Sequence, residues 1–325
     1  MNEVALRPDP KVSIIIPVFN EEEVVPLLLP RLRAVMDRLA GGAEVWFIDD
    51  GSVDRTALLI EQAHAADPRI KLLQFSRNFG HAAAITAGLD HAQGEAVVLM
   101  DGDLQDPPEL IIEMVARYRE GFDVVQARRA RRREVLFKRA TAYLFYRLMS
   151  SLTHHQMQAN VGEFRLMSRA VVAALVGMRE HHRLIRGMVC WVGFRHATVE
   201  FERPTRAAGQ TKYPLSKMLR LSVDGVTSFS TAPLRLAGVM GLIGLVGGFA
   251  YAGYALYVRY ILGETVRGWT SLVLLNVFFS SVVLICLGVV GEYVGRIFEE
   301  VKNRPLYLVR RKLDDESAKS VPNHQ

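Results

Sequence analysis

Cysteine is nearly absent: the 325-residue chain has two, Cys190 and Cys286. A disulfide framework is therefore not expected, and reduced thiols agree with a cytoplasmic setting. Met1–Pro10 (MNEVALRPDP) lacks an apolar stretch, so no signal peptide is expected there. Zinc-finger spacing, a homeodomain-like helix and an aromatic RNP pattern are also missing. Nucleic acid is thus the weaker partner for a chain of net charge +6 and pI near 9.4. Charge itself is missing from two stretches. Leu236–Val258 and Gly268–Gly291 contain no Asp, Glu, Lys or Arg. At a rise of ~1.5 Å per residue, a helix of either length covers the ~30 Å hydrocarbon core of a bilayer. Such a helix satisfies its own backbone, so the pair is expected to form a membrane hairpin.

The flanks give the orientation. The link between the runs holds Arg259 and Arg267 against Glu264. The segment after them carries Arg296, Lys302, Arg304, Arg310, Arg311 and Lys312 against Glu299 and Glu300. Positive flanks stay on the cytoplasmic side, which places both termini and the large charged domain there. Another basic cluster, Arg128, Arg129, Arg131, Arg132, Arg133, Lys138 and Arg139, faces only Glu134. Beside a membrane anchor, such a cluster suits anionic headgroups or a lipid phosphate. Pro214–Thr231 and Leu136–Leu152 mix apolar and basic or aromatic residues and read equally well as interfacial or core-packing helices.

The part before the apolar runs has a βα rhythm. Lys11–Pro17, Glu44–Asp49, Ile70–Ser76 and Glu95–Asp101 read as strands. Helices are expected over Glu22–Leu39, Asp54–Ala65 and Gly80–His91. This alternation predicts an α/β fold with a mainly parallel, doubly wound sheet. Ligands of such sheets bind beyond the carboxyl ends of the strands. Three of those ends carry acidic or amide groups: Asn20-Glu21, Asp49-Asp50-Gly51-Ser52 with Asp54, and Asp101-Gly102-Asp103. Any one of these would serve as a turn or helix cap. Together they point to a polar, metal-bound ligand. Carboxylates two residues apart at a strand end, with Gln105 beyond, are the hard oxygen donors that suit Mg²⁺ or Mn²⁺ with a diphosphate.

Pro17–Glu21, Asp49–Asp54, Ser76-Arg77-Asn78-Phe79-Gly80 and Asp101–Pro108 resemble, in order and spacing, glycosyltransferase family 2 of the GT-A fold. Gly162–Met167, Arg186-Gly187, Arg206 with Gly209, Lys212 and Tyr213, and Pro233-Leu234-Arg235 are similar to the polyprenyl-phosphate glycosyltransferases. Within that group, the resemblance is nearest to the bactoprenol glucosyltransferases and extends to the dolichyl-phosphate mannosyltransferases. It covers roughly residues 11 to 310. It implies a GT-A, Rossmann-like domain over 11–213, an interfacial helix over 214–232 and two spans within 233–295. A disordered segment over 1–10 and a basic cytoplasmic tail over 296–325 complete the expected division.

The resemblance also implies roles. Pro17, Phe19, Glu21, Asp49, Asp50, Asp101 and Gly102 would hold the nucleotide sugar, and Asp101, Asp103 and Gln105 the metal. Arg128, Lys138, Arg206 and Lys212 would meet the acceptor phosphate, with Asp103, Glu163 and Arg206 in the catalytic set. Phe19 stands where Tyr is frequent, Ala127 where Gly is frequent, and Asn160 and Glu163 where Asp is frequent. The implied enzyme is a metal-dependent, inverting transferase of the inner membrane. It would move a hexose from a nucleotide sugar, UDP-glucose first, to polyprenyl phosphate. A GDP-mannose enzyme and a non-enzymatic nucleotide- or lipid-binding protein are the alternatives. A processive synthase would need more spans and a QxxRW motif, which the chain lacks. Glycines in both apolar runs would allow close helix packing, within a chain or between copies.

Overall fold

The computed structural model describes residues 6–129, 161–201, 232–261 and 268–314. They divide into two compact units, an α/β unit and a helical unit. In the α/β unit the order is β1 (Val12–Val18), α1 (Val25–Met36), β2 (Ala43–Asp49), α2 (Thr56–Ala66), β3 (Ile70–Phe75), α3 (His81–His91) and β4 (Ala96–Leu99). There follow α4 (Leu110–Arg119), β5 (Val124–Arg129), β6 (Val161–Ser168), α5 (Arg169–Gly177), α6 (Ile185–Trp191) and β7 (His196–Phe201). The last strand among the described residues is β8 (Val309–Leu313), which comes after the helical unit in sequence. Each βα element expected from the first hundred residues is present, with ends shifted by up to three residues.

Among the described residues one sheet of eight strands runs in the order β7-β5-β6-β4-β1-β2-β3-β8. β3, β2, β1 and β4 are parallel, and β6 turns antiparallel beside β4. Strands buried on both faces read as near-continuous apolar runs, and Val12–Ile16, apolar but for Ser13, is wholly buried. β1 has β2 on one side and β4 on the other, so the order reverses there. β1 pairs with β2 through Val18↔Asp49, but with β4 only as far as Ile15↔Leu99. The regular pairing of β1 with β4 ends at that pair, and a crevice lies at the carboxyl ends of these strands. One face of the sheet is sealed by Leu28, Leu32 and Met36 of α1 and Ile111 and Met114 of α4, packed on Ile14, Ile16, Phe47 and Val98.

Two segments depart from the sequence reading. Arg7 lies in the stretch expected to be disordered, yet it donates to Asp123 at 2.9 Å and to the Phe122 carbonyl at 3.2 Å. β8 lies in the stretch expected to be a tail. It pairs antiparallel with β3, Leu72 opposite Leu313. Its alternation is hidden by charge, since Arg310, Arg311 and Lys312 all stand on this edge strand, where charge discourages further pairing.

The helical unit carries α7 (Ala232–Tyr260) and α8 (Trp269–Val301). Leu234–Val258 and Leu275–Val301 are long and apolar enough to cross a membrane, and neither apolar window is buried by protein. The helices pack side by side where Gly244 meets the Phe279 ring and where the Cys286 thiol approaches the Ala237 carbonyl.

Candidate active site

The crevice holds a cavity of about 380 Å³. Pro17, Phe19, Glu21, Asp50, Asp101, Gly102 and Asp103 line it, joined by Val18, Asn78, Gly80, His81 and Ala84. Seven of the residues singled out in the sequence thus converge on one space.

The loop after β1 is knitted to the loop after β2. The Asn20 amide donates to the Ser52 hydroxyl (2.9 Å), Val53 N–H to the Asn20 side-chain oxygen (3.0 Å), and Glu21 N–H to the Thr56 hydroxyl (2.8 Å). Asn20 takes a left-handed backbone, φ 55°, in making this turn. These bonds fix Phe19 and Glu21 at the rim. Phe19 keeps 44% of its surface exposed and so offers a free apolar face. Burial pushes the Glu21 carboxyl up, and the negative charges of Asp103 and Asp54 push it further. Crowding of anions in this way suits a cation.

Asp49 and Asp50 divide their work. Asp49 is wholly buried and accepts from Ser52 N–H at 2.9 Å and the Gln74 amide at 3.0 Å. It shapes the turn and does not line the cavity. Asp50 does line it, and accepts from Phe79 N–H (2.6 Å) and Gly80 N–H (2.9 Å). Those bonds hold the β3–α3 loop over the end of β2. Gly51 makes the approach feasible: its φ is +75°, and a Cβ there would meet the Arg77 carbonyl carbon at 2.5 Å. Gly80 opens α3 with φ 98°, again a glycine conformation.

Asp101 and Asp103 follow β4. Leu104, at φ 60°, turns the chain so that Gln105 N–H donates to the Asp103 carboxylate at 3.1 Å. Gln105 itself is 3% exposed and does not line the cavity, in contrast to the metal role implied for its side chain. Among the described residues no three His, Cys, Asp or Glu side chains converge to hold an ion alone. A Mg²⁺ or Mn²⁺ ion carried with a diphosphate asks the protein for only one or two carboxylates, and the donor set of Asp101 and Asp103 fits that need.

A second layer stands beside these. The His81 Nε2 lies 3.8 Å from the Asp101 carboxylate. Glu163, on β6, pairs with Arg165 at 3.1 Å and Arg186 at 3.2 Å. Burial alone would push the Glu163 carboxyl up. The guanidinium of Arg165, then those of Arg186 and the His81 ring, outweigh burial and hold it below its ordinary value. Arg165 is fully buried and also donates to the Gly162 and Glu163 carbonyls. Arg128 is on β5, ion-paired with Glu200 at 2.5 Å. Lys138, Arg206, Lys212, Asn160, the expected helix over 136–152 and residues 214–231 of the other lie outside the described residues.

Sequence reasoning gave no role to Asn78, His81, Arg165 or Arg186. The signal for His81 was present in Ser76–Gly80, since the first residue of a helix after a strand in such a sheet faces the crevice. Glu163, Arg165 and Arg186 lie in motifs that carried the family resemblance, but their pairing was not legible, because it needs β6 and α6 brought together.

The doubly wound sheet with acidic strand ends around one polar crevice has the arrangement of the GT-A fold. The Glycosyl transferase family 2 model matches residues 13–176, and the chain belongs to that family. Over 300 residues it is 47% identical to the uncharacterized glycosyltransferase YkcC of Bacillus subtilis (strain 168), covering 92% of this chain and 93% of that one. It is 40% identical over 302 residues to the SfII prophage-derived bactoprenol glucosyl transferase of Shigella flexneri, covering 93% and 98% of the two chains. Among solved structures, mannosyl-3-phosphoglycerate synthase from Rubrobacter xylanophilus aligns with TM-score 0.48 and 19% identity, over 67% of this chain and 73% of that chain.

Proposed function

We propose that this glycosyltransferase is anchored in the cytoplasmic membrane by α7 and α8 and transfers a hexose from a nucleotide sugar to polyprenyl phosphate. UDP-glucose is the first donor to test. The observation that carries this reading is the 40% identity to a bactoprenol glucosyl transferase over nearly the full length of both chains, apolar helices included. Phe19 would face the base, Glu21 and Asp50 the ribose side, and Asp101 and Asp103 a Mg²⁺ or Mn²⁺ ion on the diphosphate. When bound, that ion neutralises the charge gathering on the leaving nucleoside diphosphate.

The acceptor makes small demands on the protein. A phosphate monoester with a second pKa near ~6 is largely dianionic at neutral pH. It can attack the sugar carbon without a general base, and a single displacement inverts that centre. The task left to the protein is to hold two anions together. Arg128, Lys138, Arg206 and Lys212 are the proposed acceptor contacts, the arginines giving parallel bonds to phosphate oxygens and the lysines a compact positive charge. Glu163, engaged by two arginines, orients those cations and stays ionised; it is not required to take a proton.

The test is to incubate the purified full-length protein with undecaprenyl phosphate, Mg²⁺ or Mn²⁺ and a panel of nucleotide sugars, then weigh the glycolipid. A hexose–phosphate–lipid formed from UDP-glucose is expected. Product from GDP-mannose instead reassigns the sugar, and no glycolipid from any donor overturns the reading.

A further inference from the structure

The strand that follows the apolar helices in sequence reaches the loop that lines the cavity. Ser76 N–H donates to the Leu308 carbonyl at 2.9 Å. Just before it, the Tyr307 ring stacks on Phe75, centroids 5.1 Å apart and 15° from parallel. Phe75 closes β3, and its other partner is Phe79, edge-on at 5.7 Å. Phe79 and Gly80 are the residues whose amides Asp50 holds, and Asn78, Gly80 and His81 line the cavity. The Tyr307 hydroxyl donates to the Asp90 carboxylate at 2.8 Å, near the far end of the helix that His81 begins. Arg179 secures the same carboxylate at 3.0 Å.

One side chain thus braces both supports of the cavity's β3–α3 wall, the end of β3 by its ring and α3 by its hydroxyl. The hydroxyl is not spare for chemistry: burial, then Asp90, holds its proton firmly in place. We propose that Tyr307 is a positioning residue for the donor side of the site, setting loop 76–81 through Phe75–Phe79 and α3 through Asp90. The inference rests on the donor reading given above for its kinetic consequence, but not for its structural one.

Two measurements on the full-length protein in detergent separate these. The first is amide hydrogen exchange over residues 76–83, with β1 and β2 as internal reference. The second is titration with UDP and Mn²⁺, with the kinetics of nucleotide-sugar and lipid-phosphate turnover. Tyr307→Leu keeps apolar volume but loses the stack and the hydroxyl. It should speed exchange over 76–83 and weaken UDP by about two- to tenfold, the worth of one aromatic pair. The donor KM should rise alike, with lipid-phosphate KM and kcat near wild type. Tyr307→Phe keeps the stack and should recover most of the affinity. Arg311→Ala cuts the β8 ion pair to Glu61 on α2 and should leave UDP affinity unchanged. Exchange over 76–83 at the wild-type rate in a folded Tyr307→Leu protein overturns the proposal, even if its melting point falls. Faster exchange with unchanged UDP affinity overturns the donor role. If wild type binds neither UDP nor GDP while exchange still responds, the donor reading falls and the bracing role stands.

Discussion

At the scale of single residues, the site separates groups that face the cavity from groups that hold them. Asp103 is of the first kind. Asp103→Asn should lower transfer about ten- to a hundredfold, the worth of roughly 1.5–3 kcal/mol for a bond to a charged group, with the circular dichroism spectrum unchanged. Added Mg²⁺ or Mn²⁺ should restore chelator-treated wild type and not the variant. Glu163 is of the second kind. Its carboxyl is held below the ordinary 4.5, so its stabilisation is present above that value and is lost as pH falls through the lower folded-state value. Glu163→Gln should destabilise the protein by about 3–5 kcal/mol at pH 7, because Arg165 is left buried without its anion. The gap to wild type should begin to narrow as pH falls below 4.5. Denaturant melts across pH check both the size and the direction. An equal gap at pH 7 and at pH ~3 would remove the ion pair as the cause. Sequence alone made Asp101, Asp103 and Glu21 visible, because acidic residues after apolar strands have a fixed place in a parallel sheet. Asp49 and Gln105 were visible too but turn inward, since a side chain's direction at a loop depends on bonds that spacing does not encode.

At the scale of elements, the cavity wall is three loops locked together by amide–carboxylate and amide–hydroxyl bonds. Gly51 is where two of them touch. Gly51→Ala places a methyl against the Arg77 backbone in a left-handed conformation, a cost of about 1–2 kcal/mol before any clash. The variant should melt lower and bind UDP more weakly, as calorimetry and titration would show; a wild-type UDP affinity would mean that the two loops move independently. The first four strands were legible because their apolar runs are short, β-branched and punctuated by Asn, Asp and Gly. β5, β6 and β7 were not, because β6 carries a buried arginine, and β5 ends in arginines. β8 was hidden for a similar reason: its edge position demands the charges that make it read as a tail.

At the scale of the whole molecule, α7 and α8 expose apolar surface along their length, so detergent should be needed to keep the full chain in solution. The basic residues after α8 predict that a reporter fused after Gln325 reads as cytoplasmic and one inserted near Glu264 as lying across the membrane. The reverse result at either position would reject the hairpin. The length and apolarity of the two helices were legible from residue types alone, since a bilayer asks for nothing more of a spanning segment.

Synthesis runs from the amino terminus, and β8 is made after the other strands of the described sheet. Until it arrives, β3 is an open edge and Phe75 lacks its stacking partner. By then both apolar helices have already left the ribosome. The order of the chain therefore makes completion of the sheet a late event. A nascent protein interrupted between Asp103 and Tyr307 would carry every cavity-lining residue and still present an unfinished sheet edge, open to pairing with a strand of another chain.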